Sequence, residues 1–181
     1  MTDKINHSEI IVNNIVTAES TAVESMSPQA KVSYKKDQAS TKIVLATLNA
    51  RFFHTSFGLR YLYANLQELQ SCCEIKEFII QTRAIDIVEQ ILESKPDIVG
   101  FGVYIWNIVE TTDVVNLLKV IAPEIKVILG GPEVSYETEQ QAIVKCADYV
   151  LTGPADLSFY QLCKDIINNT APEKKGIQSK P

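Results

Sequence analysis

Between residues 42 and 168, short apolar runs alternate with longer stretches whose apolar residues recur every three or four positions. Lys42–Leu48, Ile75–Ile80, Asp97–Gly102, Lys126–Leu129 and Asp148–Leu151 are dense in Ile, Val and Leu and short enough to be buried strands. Ser56–Leu69 carries Leu59, Leu62, Tyr63 and Leu66 at helical spacing. Ile85–Leu92 places Ile85, Val88, Ile91 and Leu92 on one face, and Asn107–Ile121 does so with Ile108, Val115, Leu118 and Ile121. Ser135–Val144, opened by a Ser cap, and Ala155–Ile167 complete the set. Asn107 and Glu110 have the spacing of a capping box.

Strand–helix alternation of this kind predicts an α/β fold, with a parallel sheet between two helical layers. For five strands the usual order is 2-1-3-4-5, the flavodoxin-like, doubly wound three-layer sandwich. Its ligand crevice lies at the carboxyl ends of the strands, built by the loops after strands one, three and four. The folded domain is expected over residues 41–168. Residues 1–40 are rich in Ser, Thr, Asn, Lys and Glu and read as a flexible extension. Residues 169–181, with Pro172, Gly176 and several lysines, read as a linker-like tail.

Composition narrows the function. The 181 residues carry a net charge of −5 and no basic stripe, which argues against nucleic acid. The apolar runs are too short to span a membrane, and the N-terminus lacks both secretory and transit patterns, so a cytoplasmic location is expected. Cys72, Cys73, Cys146 and Cys163 show no metal-binding spacing and read as reduced thiols.

The unusual residues gather at one end of the expected sheet. The loop after strand one runs from Asn49 and Arg51 through His54, Thr55 and Ser56 to Gly58. That after strand three is Gly102-Val103-Tyr104-Ile105-Trp106-Asn107, with the only tryptophan. That after strand four is Gly130-Gly131-Pro132-Glu133-Val134-Ser135, and Thr152-Gly153-Pro154 follows strand five. Two adjacent glycines at a strand end let the chain turn sharply and let a flat ligand press on bare backbone. Single residues leave two readings open. Tyr104, Ile105 and Trp106 either cap the core or touch a ligand. Thr55 and Ser56 cap a helix whose N-terminus could also hold a phosphate. Arg51 and Glu133 are surface or binding groups.

Three strings together resemble a known family. They are Thr47-Leu48-Asn49-Ala50 with His54-Thr55-Ser56 and Leu59-Arg60-Tyr61-Leu62, then Val99-Gly100-Phe101 with Tyr104-Ile105-Trp106-Asn107, and Leu129-Gly130-Gly131-Pro132-Glu133-Val134-Ser135. They resemble the cobalamin (B12)-binding domain, and more narrowly the N-terminal domain of cobalamin-dependent radical SAM proteins, over residues 42–168. The resemblance implies a corrin ring on the carboxyl ends of the strands, beside Gly102–Asn107. It also implies a nucleotide tail passing close to the backbone at Gly130 and Gly131. Asn49, His54, Thr55, Ser56, Pro132, Glu133 and Gly153 would complete the cofactor contacts.

The chain departs from the family pattern in four places. Phe52 replaces the aspartate of D-x-H-x-x-G and Gly58 lies one residue too far, so His54, the candidate for cobalt, is expected to stay off the metal. Gly102 replaces a serine, and Gly153-Pro154-Ala155-Asp156 stands for G-E-G-E. No C-x-x-x-C-x-x-C occurs, so the iron–sulfur cluster, S-adenosylmethionine and any methyl transfer would belong to a radical SAM domain in cis or trans. This chain alone is expected to catalyse nothing. Two alternatives stand beside this reading. One is a flavodoxin-like flavin or nucleotide binder, using Thr55-Ser56-Phe57-Gly58 for phosphate. The other is a degenerate, ligand-free interaction domain. A phospho-receiver domain is rejected, because Gly102 and Thr152 occupy the places of its Asp and Lys.

Overall fold

The computed structural model describes residues 40–50, 55–136, 138–173 and 175–178. Residues 1–39 of the expected extension, and Arg51 and His54 of the first loop, lie outside the described residues.

The strands are β1 (Ile43–Asn49), β2 (Cys73–Ile79), β3 (Ile98–Gly102), β4 (Lys126–Gly130), β5 (Tyr149–Thr152) and β6 (Gly176–Gln178). They form one sheet in the order β2-β1-β3-β4-β5-β6 with every neighbour parallel. The expected order therefore holds for the first five strands, and the fold is flavodoxin-like α/β. The sixth strand corrects the sequence reading. Gly176-Ile177-Gln178 pairs with Val150-Leu151-Thr152 although the segment reads as a linker. Only Ile177 in it is apolar, which is too little for a periodic signal.

The helices are α1 (Phe57–Ala64), α2 (Ala84–Glu93), α3 (Ile108–Ile121), α4 (Ala142–Cys146) and α5 (Asp156–Ile167). Alternation along the strands sorts the core into two layers. Val44, Val99, Phe101, Val127 and Leu129 point to one face and pack with Ile87, Val88 and Ile91 of α2, Val114, Val115 and Leu118 of α3 and Ile143 of α4. Ile43, Leu45, Ile98, Ile128 and Leu151 point to the other and pack with Leu59 of α1 and Phe159, Leu162 and Cys163 of α5. Each such side chain, fully buried, contributes roughly 1.5–3 kcal/mol. β1, in the sheet interior, is buried along nearly its whole length, whereas β2 at the edge is largely half-exposed.

Three helical expectations change. The helix expected over Ser56–Leu69 stops at Ala64, because Gln67 adopts a left-handed backbone (φ 50°) and the chain resumes as a 3-10 turn at Gln67–Cys72. The helix expected over Ser135–Val144 is α4, which starts at Ala142. Ser135 Oγ turns back to donate to the Gly131 carbonyl at 2.8 Å, and Gln141 Nε2 donates to the Glu133 and Tyr136 carbonyls. These bonds hold 133–136 as an irregular loop. The Asn107–Glu110 capping box is absent: Asn107 makes no side-chain cap to α3 and turns toward the sheet.

Candidate functional site: a glycine-floored groove

Alternation puts Gly100, Gly102 and Gly130 on the face that carries Ile98 and Ile128. Gly102 and Gly130 are direct cross-strand neighbours. Bare backbone at these positions leaves a groove between α1 and α5, a cavity of about 190 Å³ open to solvent at the strand ends. The walls are Leu59 and Leu62 of α1, Leu151 of β5, the turn Gly153-Pro154-Ala155, and Phe159 of α5. Among the described residues, only Tyr104 and Asp156 bring side-chain polar groups to it.

The glycines do different work. A Cβ on Gly130 would meet nothing within 4 Å and would project into the groove. A Cβ on Gly102 would touch Tyr104 Cε2, Thr47 Oγ1 and Leu59 Cδ2 at ordinary contact distances of 3.5–3.7 Å. Gly131 has φ +120°, and a Cβ there would lie 2.3 Å from the Val103 carbonyl oxygen. Gly131 is therefore glycine because the loop needs it, while Gly130 leaves space for a guest. The double glycine splits into a backbone requirement and an open cradle.

The loops above the groove are stitched together. Val103 N donates to the Gly130 carbonyl at 2.8 Å, and Glu133 N to the Val103 carbonyl at 3.4 Å. Ser135 Oγ accepts from Gly153 N at 3.4 Å while donating to Gly131, so it ties the loops after β4 and β5. Asn107 is wholly buried. Its Oδ1 accepts from Tyr104 N at 2.8 Å, and its Nδ2 donates to the carbonyls of Leu48 (3.0 Å) and Gly102 (3.2 Å). Thr47 Oγ1, also buried, donates to the Gly102 carbonyl.

Of the residues expected to lie beside a ring, Val103 and Asn107 are fully buried and support the loop from within. Ile105 is 76% exposed and Trp106 49% exposed, so these two form the rim. Tyr104 links rim to groove. Its ring stacks on Trp106, with centroids 4.6 Å apart and planes 5° from parallel. Its hydroxyl lies 3.1 Å from where a Cβ on Gly58 would sit. Phe57 stands 74% exposed at the start of α1. Asn49 ends β1 and its carbonyl accepts from Ile80 N. Thr55 and Pro132 are exposed, Glu133 is half-buried, and Gly153 takes a left-handed φ of 81°.

Ser56 is the N-cap, accepting from Leu59 N. At the helix end that could have held a phosphate, a carboxylate is found instead. Glu77 Oε1, reaching over from β2, accepts from Ser56 N at 2.6 Å and from Arg60 at 2.8 Å. An anion already fills the positive end of α1, which removes the support for a flavin phosphate there.

The sequence reading named Leu59, Gly100 and Ser135 within the resembling strings but did not assign them to the site, and it missed Leu151, Phe159 and Glu77. Gly100 and Gly102 share a strand face by simple alternation, and that signal was available. Glu77 reaches the site only through the pairing of Thr47 with Glu77 across β1 and β2. Among the described residues, no group of three His, Cys, Asp or Glu side chains converges as a metal site. None of the four cysteines forms a disulfide. Burial, with help from the charge on Glu74, pushes the Cys73 thiol up to about 12, and burial raises the Cys163 thiol as well. No helix among the described residues is long and apolar enough to cross a membrane.

Residues 43–162 match the family model described as the B12 binding domain. That is more than half of the chain, and the chain belongs to this family. A cobalamin-binding protein from Desulfitobacterium hafniense DCB-2 superposes with a TM-score of 0.51 at 27% identity, over 70% of this chain and 59% of that one. The chain thus spans little more than half the length of that protein. A CheY-like protein, tadZ, from Pseudomonas aeruginosa PAO1 gives 0.52 at 14% identity, over 78% of this chain and all of the other, and speaks for the fold alone. No curated protein sequence matches.

Proposed function

We propose that this chain is a cobalamin-binding module in which the nucleotide tail enters the groove over Gly102 and Gly130, with the corrin against the rim at Tyr104, Ile105 and Trp106. The open cradle at Gly130 carries this reading. A tail of this kind needs a slot beside the sheet with apolar walls and no side chains on its floor, and that is what the glycine pair and Leu59, Leu151 and Phe159 provide. The stacked Tyr104–Trp106 pair offers flat apolar area to a macrocycle at low conformational cost.

When bound, the cobalt of the cofactor supplies a site that can carry an alkyl group or take part in radical chemistry. The residues of this chain hold and orient. Asn107 fixes the loop under the rim, Ser135 fixes the far wall, and the apolar walls exclude water. We read the binding as His-off, since Phe52 removes the carboxylate that would orient His54. Chemistry then belongs to a partner, most simply a radical SAM domain in cis or trans, with methyl transfer as one such reaction. Residues 41–178, the sixth strand included, act as the folded module, in the cytoplasm.

Titrating hydroxocobalamin into the purified protein tests this. Wild type shifts the corrin absorption bands, and Gly130→Leu, which fills the cradle, removes the shift while the fold persists by circular dichroism. A groove that accepts cobalamin equally well with Leu at position 130 refutes the placement of the tail. Retention of the wild-type bound spectrum in His54→Ala supports the His-off mode.

A further inference from the structure

A single aromatic ring closes the deep end of the groove. Phe159 is 2% exposed and is the largest of the fully buried side chains. A Cβ built on Gly100 would lie 2.9 Å from its Cε2 and 3.0 Å from its Cζ, so the ring edge rests on bare backbone. Leu45 Cδ2 lies 3.0 Å from the same point and confines the ring from the β1 side. The mouth at Gly130, by contrast, has open space. The depth of the groove is thus set by Phe159 and not by the sheet. A phenyl ring seated in a close-packed layer does not yield as a Met or Lys chain would.

The tail of a cobamide carries its base on a ribose. The N-glycosidic bond joins the imidazole half of the base to the sugar, so the fused six-membered ring leads into the groove, toward Phe159. The geometry points to Phe159 as an end stop that selects the lower base of the cofactor by its length. This rests on the cobalamin reading above. The chemical class favoured is a cobamide whose base is no longer than a dimethylbenzimidazole. A third fused ring would have to displace the Phe159 ring, which Gly100 and Leu45 hold in place.

Three probes separate the possibilities: cobalamin, a naphthimidazolyl cobamide with one more fused ring, and cobinamide, which lacks the nucleotide. Wild type is expected to bind the naphthimidazolyl cobamide at least about tenfold more weakly than cobalamin, the scale on which apolar pockets resolve small size differences. Phe159→Leu shortens the stop without adding polarity. It is expected to narrow that gap to about threefold or less and to leave cobinamide affinity unchanged. Equal binding of the two base-bearing probes by wild type overturns the inference and needs no variant. So does a gap that persists in a folded Phe159→Leu protein, or an equal change for all three probes. Failure of wild type to bind any of the three overturns the cobalamin reading itself, and the inference with it.

Discussion

Replacing Asn107 by Ala isolates what one buried amide does for the loop that carries the rim. The side chain is fully buried and meets the Tyr104 N–H at 2.8 Å and the Leu48 carbonyl at 3.0 Å, with longer contacts to Gly102 and Thr47. The Gly102 carbonyl keeps its bond from Thr47 Oγ1 in the variant, so it is not stranded. The two short bonds contribute about 1 kcal/mol each, and leaving their partners desolvated adds roughly another 1 kcal/mol, for a loss of about 3 kcal/mol. With a urea slope of about 2 kcal/mol/M, the unfolding midpoint falls by roughly 1.5 M. Asn107→Asp tests the polarity of the same bonds. It keeps an acceptor for Tyr104 but sets a carboxylate oxygen against the Leu48 and Gly102 carbonyls, and is expected to cost at least as much. Urea melts followed by the emission of Trp106, the only tryptophan, report the loop and the global transition together. A midpoint for Asn107→Ala within about 0.3 M of wild type, or a fully stable Asn107→Asp, would show that the amide is not a strut and that the rim loop holds itself.

Two further outcomes follow from the same geometry. Gly131→Ala, with its positive φ and the Val103 oxygen in the way, is expected to destabilise by about 2 kcal/mol or more, whereas Gly130→Ala stays within about 0.5 kcal/mol of wild type; thermal melts that rank the pair in the other order contradict the division of roles. The Cys73 and Cys163 thiols, held neutral by burial, add stability that is intact below the ordinary thiol value of 9.0 and is lost as pH rises toward about 12, where the unfolded chain has already released those protons. Urea midpoints should therefore fall between pH 8 and pH 10.5, less so in Cys163→Ala, and thiol labelling at pH 8 should reach Cys163 last.

Sequence periodicity carried the architecture as far as β5 because strands in the sheet interior must be apolar on both faces and helices on one. It failed where local chemistry outweighed pattern. Ser135 has the composition of a helix cap, yet its hydroxyl is taken by Gly131 of its own loop and by Gly153 of the loop after β5. Asn107 stands at capping-box spacing from Glu110, yet the carbonyls of β1 and β3 compete successfully for its amide. Both outcomes depend on neighbours distant in sequence, which spacing does not encode. At the site, the double glycine marked the right place, but only the register shows that Gly102 and Gly130 lie side by side and that Gly131 is spoken for by the backbone. Phe159 fell within the helix expected over Ala155–Ile167 and carried no signal of its own. Its contact with Gly100 joins residues nearly sixty apart in the chain.

The hydrogen bonds that run on past the ends of β3, β4 and β5 make the mechanics of the groove lopsided. Val103, Glu133, Ser135 and Gly153 turn one jaw into a fixed plate. The opposite jaw is the first turn of α1, moored at its tip by Glu77 through Ser56 and Arg60. Breathing that admits a bulky guest is thus concentrated at that mooring, and the speed of loading would be governed there, some distance from the glycines that set its final fit.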